Sequence, residues 1–224
     1  MNILAIENSF NLSIAVKRDR LILEENVFSR ESSWFIISTV KSLLEKAGLE
    51  ISQIDSFCVG LGPGSFTGLR VALSTIKGFC AVLDRPLIGL SSFLAVAKEF
   101  SFLEKVFSVI FDAKRDLVYA GLYYRDKAGV IREKVSLKLI KIEEFLKKYC
   151  QPDFLFLGES IKFKEQIKKI YPQALISQEV NYPKASFLVE LAVEKFLNKE
   201  FLDIEKIEPL YLYPLSCQVR KKKA

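Results

Sequence analysis

One order of segments occurs twice in this chain: three strands, then helix, strand, helix, strand and helix. The first set reads as strands at Asn2–Glu7, 12–17 and 20–28, with a polar turn at Arg18 and Asp19. A helical pattern follows over 32–47, and Gly48 stops it. Next come a short buried strand at 56–61, a long helix at Phe66–Leu83, a strand at 86–90 and a serine-capped helix at 91–100. The second set has strands at 106–112, 117–124 and 130–138, then a helix at Ile142–Tyr149. A strand at 154–157, a helix at 161–170, a short strand at 174–177 and a helix at 184–198 complete it. The residues themselves do not repeat; only the order does.

Three meander strands followed by crossover units make a mixed sheet flanked by helices. That is the ribonuclease-H-like order. Its duplication is the plan of actin, the sugar kinases and the heat-shock ATPases, the ASKHA fold. We therefore expect an α/β protein with two mixed-sheet domains, 1–104 and a smaller 105–224, joined near residues 101–105. At 224 residues, half of them hydrophobic, the chain can fill two cores. No uninterrupted apolar run reads as long enough to span a bilayer. The opening residues lack a basic region and soon meet Glu7 and Asn8, so they read as the first strand of a cytoplasmic protein with no membrane partner.

The chain contains no histidine. This rules out a His-ligated zinc site and a Ser-His-Asp triad, and leaves any catalytic base to Asp, Glu, Lys or Tyr. Cys58, Cys80, Cys150 and Cys217 have no paired spacing and read as small apolar residues. The net charge is +6, and Arg220, Lys221, Lys222 and Lys223 supply much of it. Such a tail is a candidate for contact with RNA phosphates, against the plainer reading of a solvated end.

Gly60-Leu61-Gly62-Pro63-Gly64-Ser65-Phe66-Thr67-Gly68 is the densest glycine run. It is not a Walker loop, because Leu69 and Arg70 stand where Lys and Ser or Thr are needed. Nor is it a dinucleotide fingerprint, because Ser65 takes the third glycine's place. ASKHA enzymes hold phosphate on glycine-rich hairpins. Here both hairpins, Glu7-Asn8-Ser9-Phe10-Asn11-Leu12 and Asp112-Ala113-Lys114-Arg115-Asp116, lack glycine. We read Gly62, Pro63, Gly64 and Gly68 as a structural turn into the next helix, capped by Ser65 or Thr67.

That helix is apolar on most sides. Leu69, Leu73, Ile76, Phe79 and Leu83 form one face, and Val71, Ser74, Thr75, Gly78, Ala81 and Val82 lie around the rest. The first helix has a stripe of Ile36, Val40, Leu43 and Ala47, with Trp34, Ile37 and Leu44 outside it. One side of each helix can cover its own sheet; the other requires a partner. The expected interface residues are Trp34, Ile37, Leu44, Val71, Ser74, Thr75, Gly78 and Val82.

The run Gly-Pro-Gly-Ser-Phe-Thr-Gly-Leu-Arg at 62–70, continuing to Gly78, resembles the signature of the TsaB family. The opening strand through Ser9, Ile88-Gly89-Leu90-Ser91-Ser92, the hairpin Asp112-Ala113-Lys114-Arg115, and Pro209-Leu210-Tyr211-Leu212 as a C-terminal strand extend the resemblance over nearly the whole chain. Glu7, Ser32, Asp116 and Tyr213 depart from the family pattern, where Asp, His, Gly and Arg are common. The resemblance implies a non-catalytic subunit with no cofactor of its own. It implies pairing with a TsaD-like catalytic paralogue through the two early helices, and binding of the pair by a TsaE-like ATPase. The complex would use ATP, bicarbonate and threonine to place threonylcarbamoyl on N6 of adenosine 37 of tRNA, with tRNA met only through the complex. Alone, copies would form a homodimer through the same helices. The alternative is a sugar-kinase-like, ATP-dependent phosphotransferase acting alone, with Glu7 and Asp112 as its acids. A glycoprotease-like hydrolase has neither a His-ligated metal nor a nucleophile–histidine pair to work with.

Overall fold

Asn2–Glu7 (β1), Leu12–Arg18 (β2) and Leu21–Val27 (β3) pair antiparallel in a computed structural model that describes residues 1–29 and 33–213, with Ser32 described by its backbone alone. A 3-10 turn at Ser32–Phe35 leads into Ile36–Ala47 (α1), and Gly48 ends it at a φ of 62°. Ser56–Gly60 (β4) then runs parallel to β1, Phe66–Leu83 (α2) crosses back, and Leu87–Leu90 (β5) runs parallel to β4. Ser92–Glu99 (α3) closes the first half, with Ser91 accepting from the N–H of Phe93.

The second half has Phe107–Lys114 (β6), Leu117–Arg125 (β7), Ile131–Ile140 (β8) and Ile142–Tyr149 (α4). It continues with Leu155–Gly158 (β9), Lys164–Ile170 (α5), Leu175–Ile176 (β10) and Ala185–Leu197 (α6). The two five-stranded sheets run β3-β2-β1-β4-β5 and, read from the matching end, β8-β7-β6-β9-β10. Both have the same parallel and antiparallel pairs. This is the duplicated ribonuclease-H-like α/β fold.

Each sheet is covered on both faces. α1 and α2 lie on the outer face of the first sheet through Ile36, Val40, Leu43, Leu73 and Ile76. α4 and α5 cover the outer face of the second through Phe145, Leu146 and Ile167. The helices between the sheets do not respect the sequence division at 104/105. α6, from the second half, buries Ala185, Leu188, Val189 and Ala192 against Ile3, Ala5, Cys58 and Ile88 of the first sheet. α3, from the first half, buries Phe93, Val96 and Ala97 against Phe107, Val109 and Phe111 of the second. Each fully buried Leu or Val in such a layer contributes about 1.5–3 kcal/mol. The layer therefore couples the two halves strongly.

After α6 the chain crosses the first sheet's edge, where the Leu202 N–H donates to the Leu87 carbonyl at 2.9 Å. Residues 209–212, expected as a strand, run instead as an irregular strap. The Leu210 N–H is bonded to the Leu61 carbonyl at 2.8 Å, and one bond cannot found a ladder. The Tyr213 hydroxyl donates to the Ala113 carbonyl at 2.7 Å, so the strap ties the first half to the second hairpin. Cys58, Cys80 and Cys150 are buried and free. Cys217, Arg220, Lys221, Lys222 and Lys223 lie outside the described residues.

Candidate interaction surface and the closed cleft

The glycine run does not form an anion cradle at the strand ends; a carboxylate already occupies that space. Glu7 ends β1 beside Gly60 at the end of β4, and both are buried. A Cβ on Gly60 would meet Glu7 Oε2 at 1.8 Å. The Glu7 carboxylate accepts from the Ser9 N–H at 2.7 Å, from the Ser9 hydroxyl, and from the Ser92 hydroxyl at 2.6 Å. Burial pushes its pKa above the usual carboxylate range, and the Ser9 and Ser92 bonds oppose that rise. With its oxygens so committed, Glu7 organises the strand ends and α3 rather than facing solvent as an acid.

The rest of the run packs on the first hairpin. Gly64 touches Ser9, Gly68 touches the Asn8 carbonyl, and Gly62 turns at a φ of 90° before Pro63. Ser65, one of the two expected caps, accepts from the Gly68 N–H at 3.2 Å. The hairpin tip also reaches across to the second half. Phe10 stacks on Phe111 at 4.1 Å between ring centroids, with Tyr182 and Phe93 around Phe111. An aromatic cluster thus fills the gap between the two halves where ASKHA enzymes open a nucleotide cleft. Asp112 is turned into its own hairpin, accepting from the Lys114 N–H at 2.7 Å and pairing with its ammonium. Partial burial works against ionisation there, but Lys114 holds the carboxyl below its usual range. Sequence reading did not reveal Ser9, Ser92, Phe10 or Phe111, because none carries a local pattern that distinguishes it from core.

The outer surface of α1 and α2 is different. Trp34 is 84% exposed and Ile37 60% exposed at the start of α1, and Val82 is 84% exposed at the end of α2. Between them along α2 lie Val71 and Thr75, half-buried, and Ser74, Gly78 and Ala81, exposed. A Cβ on Gly78 would meet nothing within 4 Å. Leu44 is a correction: expected on this face, it is 7% exposed and belongs to the core. It follows Leu43 and lies one turn after Val40, so the inward stripe is wide enough to take it. Farther along α1, Lys41, Glu45 and Lys46 make the outer face polar. A second correction concerns α2 itself. At 18 residues and a mean hydropathy of 1.4 it is, by length and composition alone, apolar enough to cross a membrane. Here Leu69, Leu73 and Ile76 bury its inner face against the sheet.

Two proteins with known roles align with the chain over most of its length. The tRNA threonylcarbamoyladenosine biosynthesis protein TsaB of Bacillus subtilis (strain 168) is 29% identical over 95% of this chain and 94% of its own. The protein of the same name from Buchnera aphidicola subsp. Schizaphis graminum is 30% identical over 77% of this chain and 89% of its own. The chain belongs to the TsaB family. The family model described as TsaD, tRNA N6-adenosine threonylcarbamoyltransferase, matches residues 26–216, so this TsaB chain belongs to that wider family as well. Among solved structures, YeaZ from Pseudomonas aeruginosa superposes on it with a TM-score of 0.82 at 25% identity, over 94% of this chain and 99% of that one.

Proposed function

We propose that this chain is a non-catalytic scaffold subunit in the cytoplasmic synthesis of N6-threonylcarbamoyladenosine in tRNA. It pairs with a TsaD-like catalytic paralogue through the outer face of α2 and the start of α1, and a TsaE-like ATPase binds the pair. In isolation, two copies pair through the same face. The names of the TsaB relatives support the pathway. The observation that carries the scaffold role is the open outer face of α2, where Gly78 sits among exposed Ser74, Ala81 and Val82 with nothing of its own chain above it. Small residues on an apolar helix let a second helix approach closely, and a core free of charge suits a lasting interface. The buried Glu7 and the Phe10–Phe111 stack support the non-catalytic part, because they occupy space that nucleotide chemistry would need.

Gly78→Leu tests this reading. The new side chain extends into open space and leaves the fold intact, but it holds an approaching helix away. Size-exclusion chromatography with the catalytic paralogue should show separate peaks for the variant and one joint peak for the parent. Joint elution of a folded variant would refute the proposed face.

A further inference from the structure

A cleft of about 610 Å³ opens between the start of α2 and the β6–β7 hairpin, with the strap 210–213 as its third wall. It lies apart from the partner face and from the gap that Phe10 and Phe111 fill. Its volume falls within the range of about 300–1,000 Å³ usual for small-molecule sites. Phe66, Tyr119, Tyr211 and Tyr213 line it, Lys114 and Arg115 stand at the hairpin side, and no acidic side chain contributes to the described wall.

The charges at this cleft are not equivalent. Lys114 is paired with Asp112. Arg115 has no acid partner among the described residues, and its guanidinium lies 5.8 Å from the centre of the Tyr213 ring. Arg70 also has no acid partner among them; it lies 4.0 Å over Phe66, and its Nε donates to the Tyr211 hydroxyl at 2.9 Å. Lys114, Arg115 and Asp116 have φ values of 66°, 54° and 58°, an unusual run for residues with side chains. That backbone, pinned by the Tyr213 hydroxyl on the Ala113 carbonyl, keeps Arg115 at the rim. A guanidinium without an acid partner selects a phosphate or carboxylate with two oxygens to share. Tyrosine rings beside it select a planar ring. A ligand that offers both within this volume is a nucleotide.

We propose that this cleft binds a phosphorylated nucleoside, free or as one unit of an RNA strand, with its phosphate on Arg115 and its base against Tyr211 and Tyr213. The site is independent of the scaffold role, since none of its lining residues belongs to the partner face.

The test uses the full chain at low salt. AMP is titrated by calorimetry, and a fluorescein-labelled single-stranded RNA pentanucleotide by fluorescence anisotropy. Arg115→Asn removes the charge with a residue that tolerates positive φ, and Tyr211→Leu removes the ring but keeps apolar bulk. Each variant should weaken binding about tenfold, the loss of one charge-assisted or stacking contact, while Lys147→Gln on α4 leaves it unchanged. Binding of AMP supports the proposal with a free nucleotide as ligand; binding of the RNA alone supports it with a strand. Absence of binding for both probes at millimolar concentration overturns it. So does binding that Arg115→Asn leaves unchanged in a variant whose melting temperature matches the parent's. Neither result bears on the Gly78→Leu experiment.

Discussion

Glu7 and Gly60 close the ends of two neighbouring parallel strands on each other: the carboxylate lies 1.8 Å from where a Cβ on residue 60 would sit. Gly60→Ala must therefore displace a side chain held by three hydrogen bonds. The expected cost is about 1–3 kcal/mol by urea denaturation. Glu7→Ala in that background should cost less than Glu7→Ala alone, because the added methyl fills part of the space. Additive costs in the double-mutant cycle would count against the contact.

The same carboxylate gives a pH signature. Its pKa is raised on folding, mainly by burial, so the folded state holds the proton more tightly than the unfolded chain. Its stabilising share is full below the ordinary carboxylate pKa and is lost as pH rises through the folded value. Glu7→Gln does not titrate and keeps a similar shape. The stability of the variant relative to the parent should grow with pH across that window and then level off. Urea melts from pH 4 to 8 measure it; a difference that stays constant with pH would contradict the assignment.

Leu44 and Trp34 should respond in opposite ways. Leu44 is a core residue, so Leu44→Ala should destabilise the fold by about 2–5 kcal/mol. Trp34 is mostly exposed, so Trp34→Ala should leave the melting temperature nearly unchanged and lower affinity for the partner chain. Thermal melts beside calorimetric titration with the partner separate the two effects.

Phe10 and Phe111 stack across the two halves in the place of a nucleotide cleft. Calorimetry of the isolated chain with magnesium-ATP should show no micromolar binding dependent on this gap. Phe10→Ala should leave any weak heat unchanged while lowering stability by about 1–3 kcal/mol. Micromolar binding with turnover would restore the phosphotransferase alternative.

Residues 1–104 should not fold as an independent unit. Without α6, the inner face of the first sheet exposes Ile3, Ala5, Cys58 and Ile88 to water. Circular dichroism of the fragment should show little native structure, and adding a peptide spanning α6 should recover part of it.

Much of the fold was legible because it rests on local signals. Phe66–Leu83 and Ile142–Tyr149 have the ends that their apolar periodicity, caps and neighbouring turn residues set. The strands of both meanders were readable from alternation and the polar turns between them. Boundaries moved by one or two residues where a 3-10 turn precedes a helix, as at Ser32–Phe35 and Ser160–Phe163, because such turns share the helical pattern. The outer face of α2 was legible as apolar surplus. Leu44 was not, since a residue on the flank of a stripe turns inward or outward according to how the helix rolls on its sheet.

By itself the sequence determined the order of elements, their duplication, the absence of histidine chemistry and the excess of apolar surface on α2, because each depends on residue type and spacing along the chain. Only the tertiary structure decided that α3 and α6 are exchanged between the halves, that Glu7 fills the space beside Gly60, and that Arg70, Arg115 and the tyrosines of the strap meet around one cleft. Those contacts join residues far apart in the chain, and their geometry is fixed by how two sheets pack through a shared layer, which no local pattern encodes.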